Sequence, residues 1–288
     1  MTKPEQRKAL AIASRAARVA GQLMRKHQHR AKTIHAADRY DIRLELDVRC
    51  QKLIEKVLRS AFPDISVLGE EGVVGDPQAG QRWVVDPIDG TVNFAYGIPH
   101  ACVSIALQAR VPSSGFRVSS SDHRPPSAEC SYQTLLGVVY DPFCDELWTA
   151  LHGQPARLNG KIIHVSQRRK LKEAIIALGF AKYTRTVEKT VPIFNALIYR
   201  VRKIRIMGAA ALGLAYVASG RLEAYAEYGI RLWDIAAGGL ILECAGGDFW
   251  REAIEGEHTY HVIGNNGLVR RQLFKPSQNT KLQTPNTR

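Results

Sequence analysis

Apolar positions set the reading of the first half of the chain. Within residues 4–30, Leu10, Ile12, Ala16, Ala20 and Leu23 recur at helical spacing, and residues 45–61 repeat the pattern. Both segments predict amphipathic helices, joined by a polar, acid-containing connection at 31–44 and closed by Pro63. Beyond that proline the period shortens. The segment ISVLGEEG predicts a short strand running into a turn, and RWVVD a strand ending at Asp86. ACVSIAL and YQTLLGVVYD then read as neighbouring strands, with ELWTA as a third. Residues 112–131 between the first two are rich in Ser and Pro, which marks an exposed loop or extended hairpin tip.

The second half alternates strands with apolar helices. AIIALGF predicts a buried strand, residues 186–200 a helix, and MGAAALGLAYVASG a helix of small residues. LEAYAEY follows as a strand and WDIAAGGLILECAGG as a helix closed by a glycine pair. We therefore expect an N-terminal α+β region at 1–155, a C-terminal α/β region at 156–272 and a disordered basic tail at 273–288.

Composition narrows the class. The 288 residues are 45% hydrophobic and 23% charged, as in an ordinary globular protein. No apolar run approaches the roughly 20 residues of a membrane helix. The N-terminus lacks the apolar core of a signal peptide. Its basic, acid-poor start has the look of a transit peptide, but the amphipathic helix is the simpler account. Cys50, Cys102, Cys130, Cys144 and Cys244 are scattered and odd in number, which fits a reducing cytoplasm better than a disulfide framework or zinc site. The net charge of +13 divides into +9 over 1–62, +5 over 269–288 and −1 between them. Basicity thus belongs to the ends, which leaves nucleic-acid binding open beside plain solvated helix faces.

Three acidic islands carry the candidate chemistry: GEEG (Glu70, Glu71), DPIDGT (Asp86, Asp89) and WDIAAG (Asp234). Each lies where a strand or helix meets a glycine-bearing turn. Taken singly they are ordinary turn or capping residues. Gathered together, like charges raise one another's pKa unless a cation intervenes. Oxygen ligands without Cys or His point to Mg²⁺ rather than zinc. Pro87 stiffens the turn after Asp86, and Gly90 and Thr91 begin a helix whose N–H groups suit a phosphate. Two metals beside a phosphate pocket can activate water for in-line displacement.

Together, LGEEG, WVVDPIDGTVNF and WDIAAGGLILECAGG resemble the three signatures of the inositol monophosphatase family, Mg²⁺-dependent and lithium-sensitive phosphatases, over about residues 10–268. The resemblance implies an α/β fold, a layered αβαβα sandwich of the inositol monophosphatase and fructose-1,6-bisphosphatase type, assembled as a homodimer. It assigns Glu70, Asp86 and the Ile88 carbonyl to a first metal, Asp89 and Asp234 to a second, and Glu71 to the neighbourhood of a third. Thr91 and Asp47 match the pair that orients and deprotonates the attacking water, with Glu70 beside them as a catalytic residue. Gly90 and Thr91 match the phosphate cradle; Ala210, Glu227 and Asp234 match substrate contacts. Two positions depart from the pattern: Leu44 stands where the family often has threonine, and Gly179 where some members place a substrate-contacting serine.

The implied function is Mg²⁺-dependent hydrolysis of a small polyol or sugar phosphomonoester, with inositol-1-phosphate the leading substrate and two or three ions as cofactors. Histidinol phosphate, fructose-1,6-bisphosphate and a 3′-phosphoadenosine nucleotide are the rivals within the superfamily. MGAAALGLAY, where histidinol phosphatases tend to carry Gly-Asp-Cys-Tyr, favours the inositol type. A nucleic-acid-binding or regulatory protein using its basic ends is the rival of another class.

Overall fold

Thr2 starts the first helix. Its hydroxyl accepts from the Glu5 N–H (3.4 Å), and the Glu5 carboxylate accepts from the Thr2 N–H (2.7 Å). This reciprocal cap satisfies two orphan donors of α1 (Lys3–His27). Ala9, Ala13, Ala16, Ala17, Ala20 and Met24 form its buried stripe, against Leu46, Cys50, Ile54 and Leu58 of α2 (Glu45–Ala61). The short side chains of α1 let the two helices lie close together on one face of a sheet. Between them β1 (Ile34–Ala37) and β2 (Ile42–Leu44) form a small antiparallel pair.

The computed structural model describes residues 1–30, 34–37, 42–111, 132–180 and 184–273. The expected hairpin tip at 112–131 and all but the first residue of the expected tail at 273–288 lie outside the described residues. The first sheet has eight strands in the order β10-β9-β8-β7-β6-β5-β3-β4. In chain order these are β3 (Ser66–Gly69), β4 (Gly72–Val74), β5 (Gln81–Asp89), β6 (Cys102–Arg110), β7 (Tyr132–Asp141), β8 (Glu146–Leu151), β9 (Arg157–Leu158) and β10 (Lys161–Ile162). Alternation along β5 separates two cores: Trp83 and Val85 pack towards α1 and α2, while Val84 faces the opposite layer.

That opposite layer holds α5 (Ala210–Ala218) and α6 (Leu232–Cys244), both buried on nearly every side. A helix apolar all round needs cover on both faces. The second cover is a five-stranded sheet in the order β12-β11-β13-β15-β14. Its strands are β11 (Ile175–Leu178), β12 (Lys203–Arg205), β13 (Ala224–Arg231), β14 (Asp248–Ala253) and β15 (Thr259–Asn265). On its outer face α4 (Thr184–Ile198) closes a third core around Ile176, Leu178, Ala224, Ala226 and Leu197, with α7 (Arg270–Leu273) beside it. The layers run helix, sheet, helix, sheet, helix, as the resemblance implies.

The larger predicted elements stand within a few residues of their expected bounds. The sequence pattern does not predict β1, β2, β4, β9, β10, β12, β14 and β15. Five of these are only two or three residues long, and every residue of β14 is half-buried, so no clean alternation marks it. β5 also runs past its expected end at Asp86 to Asp89, with its register to β6 broken between those two residues. In a regular strand, residues three apart face opposite sides. The irregularity re-aims one carboxylate so that both meet the same space.

Candidate active site

Asp86, Asp89 and Asp234 each offer an oxygen within 4.8 Å of the others, a set that could hold a metal ion. Asp86 is buried at the end of β5, and its Oδ1 accepts from the Ile88 N–H (2.9 Å), which folds the chain tightly around Pro87. Asp89 reaches across to the second half of the protein. Its Oδ1 accepts from the Ala210 N–H (3.0 Å) and its Oδ2 from the Ala211 N–H (2.7 Å), with the Cys102 thiol at 3.5 Å. Ala209, the N-cap of α5, has no side chain able to satisfy those donors. Asp89 does so from another layer, at the end of the helix where negative charge is favoured. Asp234 sits in the first turn of α6 and accepts from the Arg231 N–H (3.0 Å).

This arrangement is electrostatically unfavourable by itself. Burial pushes the Asp86 carboxyl well above the usual range, and Glu70, Asp234 and Asp89 push it further. Burial and Asp234 bring Asp89 up to about 7, against the lowering effect of its hydrogen bonds. A hard divalent cation would remove both penalties, and an all-oxygen donor set suits Mg²⁺ or a similar ion. Among the described residues no histidine enters the group. His100 instead packs its ring edge-on against Tyr216, 6.0 Å between centroids.

The other expected residues occupy nearby elements. Glu70 lies beside the group of three rather than within it: its N–H donates to the Val85 carbonyl (3.1 Å), which extends the β3–β5 pairing and brings its charge to bear on Asp86. The Glu71 N–H is held by Gln51 Oε1 (2.9 Å), and Gln51 Nε2 donates to the Gly72 carbonyl (3.1 Å). Gln51 thus supports the GEEG turn, a role no motif announces. Thr91 donates its hydroxyl to the Ile88 carbonyl (2.9 Å), so two residues assigned to the water and to the first metal are direct partners. Asp47 is buried in the first turn of α2 and accepts from the Leu44 N–H (2.8 Å); the main chain serves there whatever the side chain at 44.

Gly90 precedes the short helix α3 (Thr91–Ala95) with φ 91°, and a Cβ there would lie 2.9 Å from the His100 carbonyl oxygen. Only glycine satisfies both conditions. Asn93 ties this turn to its surroundings, donating to the carbonyls of His100 (2.9 Å) and Met207 (2.7 Å). Glu227 lies on β13, where the Tyr225 hydroxyl donates to its Oε2. Trp83 is fully buried against Phe62 and Trp233 stands edge-on to His258.

The comparisons with known proteins bear on the family and the fold. The model of the inositol monophosphatase family matches residues 5–112 and 131–276. A Nus factor SuhB from Xylella fastidiosa is 38% identical over 247 residues, covering 84% of this chain and 81% of that protein. Inositol monophosphatase 1 from Solanum lycopersicum is 37% identical over 246 residues, covering 83% and 82%. Among solved structures, the extragenic suppressor protein SuhB of Bartonella henselae superposes with a TM-score of 0.78 at 30% identity, over 91% of this chain and 95% of that one. A Thermotoga maritima IMPase gives 0.74 at 31% identity, over 92% and 94%. By sequence, by fold and by the extent of both matches, the chain belongs to the inositol monophosphatase family.

Proposed function

We propose that the protein is a divalent-metal-dependent phosphomonoesterase for small polyol phosphates, with inositol-1-phosphate the leading substrate. The observation that carries this reading is the set of buried Asp86, buried Asp89 and half-buried Asp234, which is unfavourable without a cation. In this reading Asp86, Asp89, Asp234, Glu70 and the Ile88 carbonyl hold two Mg²⁺ ions, and Glu71 stands near a third. Bound Mg²⁺ would supply Lewis acidity toward the phosphate and a lowered pKa for water. Thr91 and Asp47 orient that water and take its proton, the Gly90 and Thr91 amides face the phosphate, and Ala210 and Glu227 line the alcohol side. The same reading makes the protein a cytoplasmic homodimer. Phosphate release from a panel of phosphomonoesters tests it. Turnover should vanish in chelator, return with Mg²⁺ and be inhibited by Ca²⁺; full turnover in chelator would overturn it.

A second reading rests on charge. The near-neutral sum of the middle of the chain hides a one-sided arrangement. Arg168, Arg169, Lys170 and Lys172, with Arg202 and Lys203, are exposed, and α7 adds Arg270 and Arg271. Hydrogen bonds stitch these segments together: Arg202 N–H to Ala174 O (2.9 Å) and Gln272 Nε2 to Arg169 O (2.6 Å). Two recesses of about 350 and 660 Å³ open here, lined by Lys170, Arg200 and Gln272 and by Arg168, Arg169 and Glu173. They adjoin the start of β11, whereas Gly179 and Glu227 meet beyond its other end. The exposed cations make a polyanion such as RNA the partner to test. Binding of a labelled single-stranded RNA should weaken with salt, with a log–log slope of about −0.7 per phosphate contacted. Charge reversal at Arg169, Lys172 and Arg202 should flatten that slope. An unchanged slope would exclude this face.

A further inference from the structure

We infer that Tyr225 and Gly179 act as a pair that sets the position of the Glu227 carboxylate, and thereby decides which alcohol the site accepts. The inference rests on the reading of Glu227 as the acceptor for a substrate hydroxyl.

The two-residue period of β13 puts Tyr225 and Glu227 on one face of the strand, towards the layer that holds α5 and α6. Tyr225 is only 4% exposed. Its ring fills space left by Gly213 of α5, where a Cβ would come within 2.5 Å of it. That packing leaves the hydroxyl little freedom, and it donates to Glu227 Oε2. Burial and the neighbouring carboxylates Glu227, Asp89 and Asp234 hold the phenol far above its ordinary pKa, so it remains a donor wherever the enzyme works.

Gly179 constrains the carboxylate from the other side. Its N–H donates to the Ala226 carbonyl (3.0 Å), which extends β11 beside β13 and lays its bare Cα against the Glu227 side chain. A Cβ at 179 would lie 1.9 Å from Glu227 Oε2 and 2.8 Å from the Tyr225 hydroxyl. A serine therefore cannot occupy position 179 while Glu227 keeps this rotamer. The departure from the family pattern at 179 and the placement of Glu227 are one feature: the carboxylate occupies the room that a side chain would take. The chemical class selected is a phosphorylated polyol with a hydroxyl placed to donate to this fixed oxygen pair.

Tyr225 is thus a positioning residue, and its effect should fall on selectivity rather than on chemistry. The test compares kcat/KM for inositol-1-phosphate with that for glycerol-2-phosphate, in Mg²⁺, for Glu227→Ala, Tyr225→Phe and Gly179→Ser. Tyr225→Phe keeps the ring and loses only the donor, so glycerol-2-phosphate turnover should be retained and reports an intact fold. The inositol-to-glycerol ratio should fall about tenfold, the size expected for losing a hydrogen bond to a charged group, through KM and not kcat. Calorimetric Kd of inositol-1-phosphate with Ca²⁺ in place of Mg²⁺ should weaken by a similar factor without any turnover. Gly179→Ser should lower the ratio with Tyr225 still present. If Glu227→Ala moves the ratio and Tyr225→Phe leaves both ratio and Kd unchanged, the positioning role is wrong. If Glu227→Ala does not move it, the reading of Glu227 has failed and the inference falls with it. No turnover of either ester by the unaltered protein would sink the phosphatase reading itself.

Discussion

At the scale of single residues, the site works by giving one side chain two partners in different layers. Asp89 satisfies two N–H groups at the start of α5 while facing Asp86 and Asp234, so the carboxylate that repels its neighbours is also held in place by main chain. Thr91 has a comparable link, its hydroxyl donating to the Ile88 carbonyl. On the proposed mechanism Thr91→Ala removes an orienting hydroxyl and keeps the amides around the phosphate. Turnover should drop by about 10²-fold or more, with KM nearly unchanged, since a preorganised donor acts mainly on the transition state. Steady-state kinetics check this. A matching rise in KM would move Thr91 into ground-state binding, and unaltered kcat would remove its role.

At the scale of elements, the decisive features are ends rather than middles. β5 breaks register between Asp86 and Asp89, and α3 begins at Gly90 with positive φ. α6 follows β13 without a loop, from Arg231 to Leu232, which puts Asp234 in its first turn. The Gly90 turn is the most constrained of these. An alanine there takes a left-handed backbone and also presses a Cβ against the His100 carbonyl oxygen at 2.9 Å. Gly90→Ala should cost about 1–3 kcal/mol of stability and lower activity more than the stability loss explains, because Thr91 follows directly. Urea unfolding and phosphate release, measured together, test the point. An unshifted unfolding midpoint would mean that the turn relaxes freely.

At the scale of the whole molecule, the carboxylates link the two halves, and their repulsion should be visible in the pH dependence of stability. Folding raises the pKa of Asp86 and takes Asp89 to about 7, above the ordinary carboxylate range. The folded state then binds more protons than the unfolded chain between about pH 4 and 7, so the stability of the chelated protein falls as pH rises through that window. On the proposed function a bound divalent cation would replace the protons. The gain in Tm on adding Mg²⁺ should therefore grow from pH 5 to pH 8. Thermal melts with chelator or Mg²⁺ at each pH decide it; a Tm gain independent of pH would mean that these carboxylates do not titrate against the metal.

The sequence alone determined the apolar pattern, and with it most of the long elements, while their layering came from what the family resemblance implies. The stripes of α1 and α2, the long strands β5 to β7 and the small-residue helices α5 and α6 all follow from side-chain periodicity, which is local information. The motifs named the carboxylates for the same reason, because strand ends and turns carry their own residue preferences. Contacts between distant segments were a different matter. Nothing near Asp89 announces that it caps a helix 121 residues away, and nothing near Gln51 ties it to the GEEG turn. Gly179 reads in sequence as a missing serine; only the pairing of β11 with β13 turns it into the space that Glu227 fills. The charge along the chain likewise sums to almost nothing between residues 63 and 268, and only folding gathers Arg168–Lys172 and Arg202 onto one face. Periodicity encodes which side of an element is buried, whereas the partner on that side is set by how the layers stack.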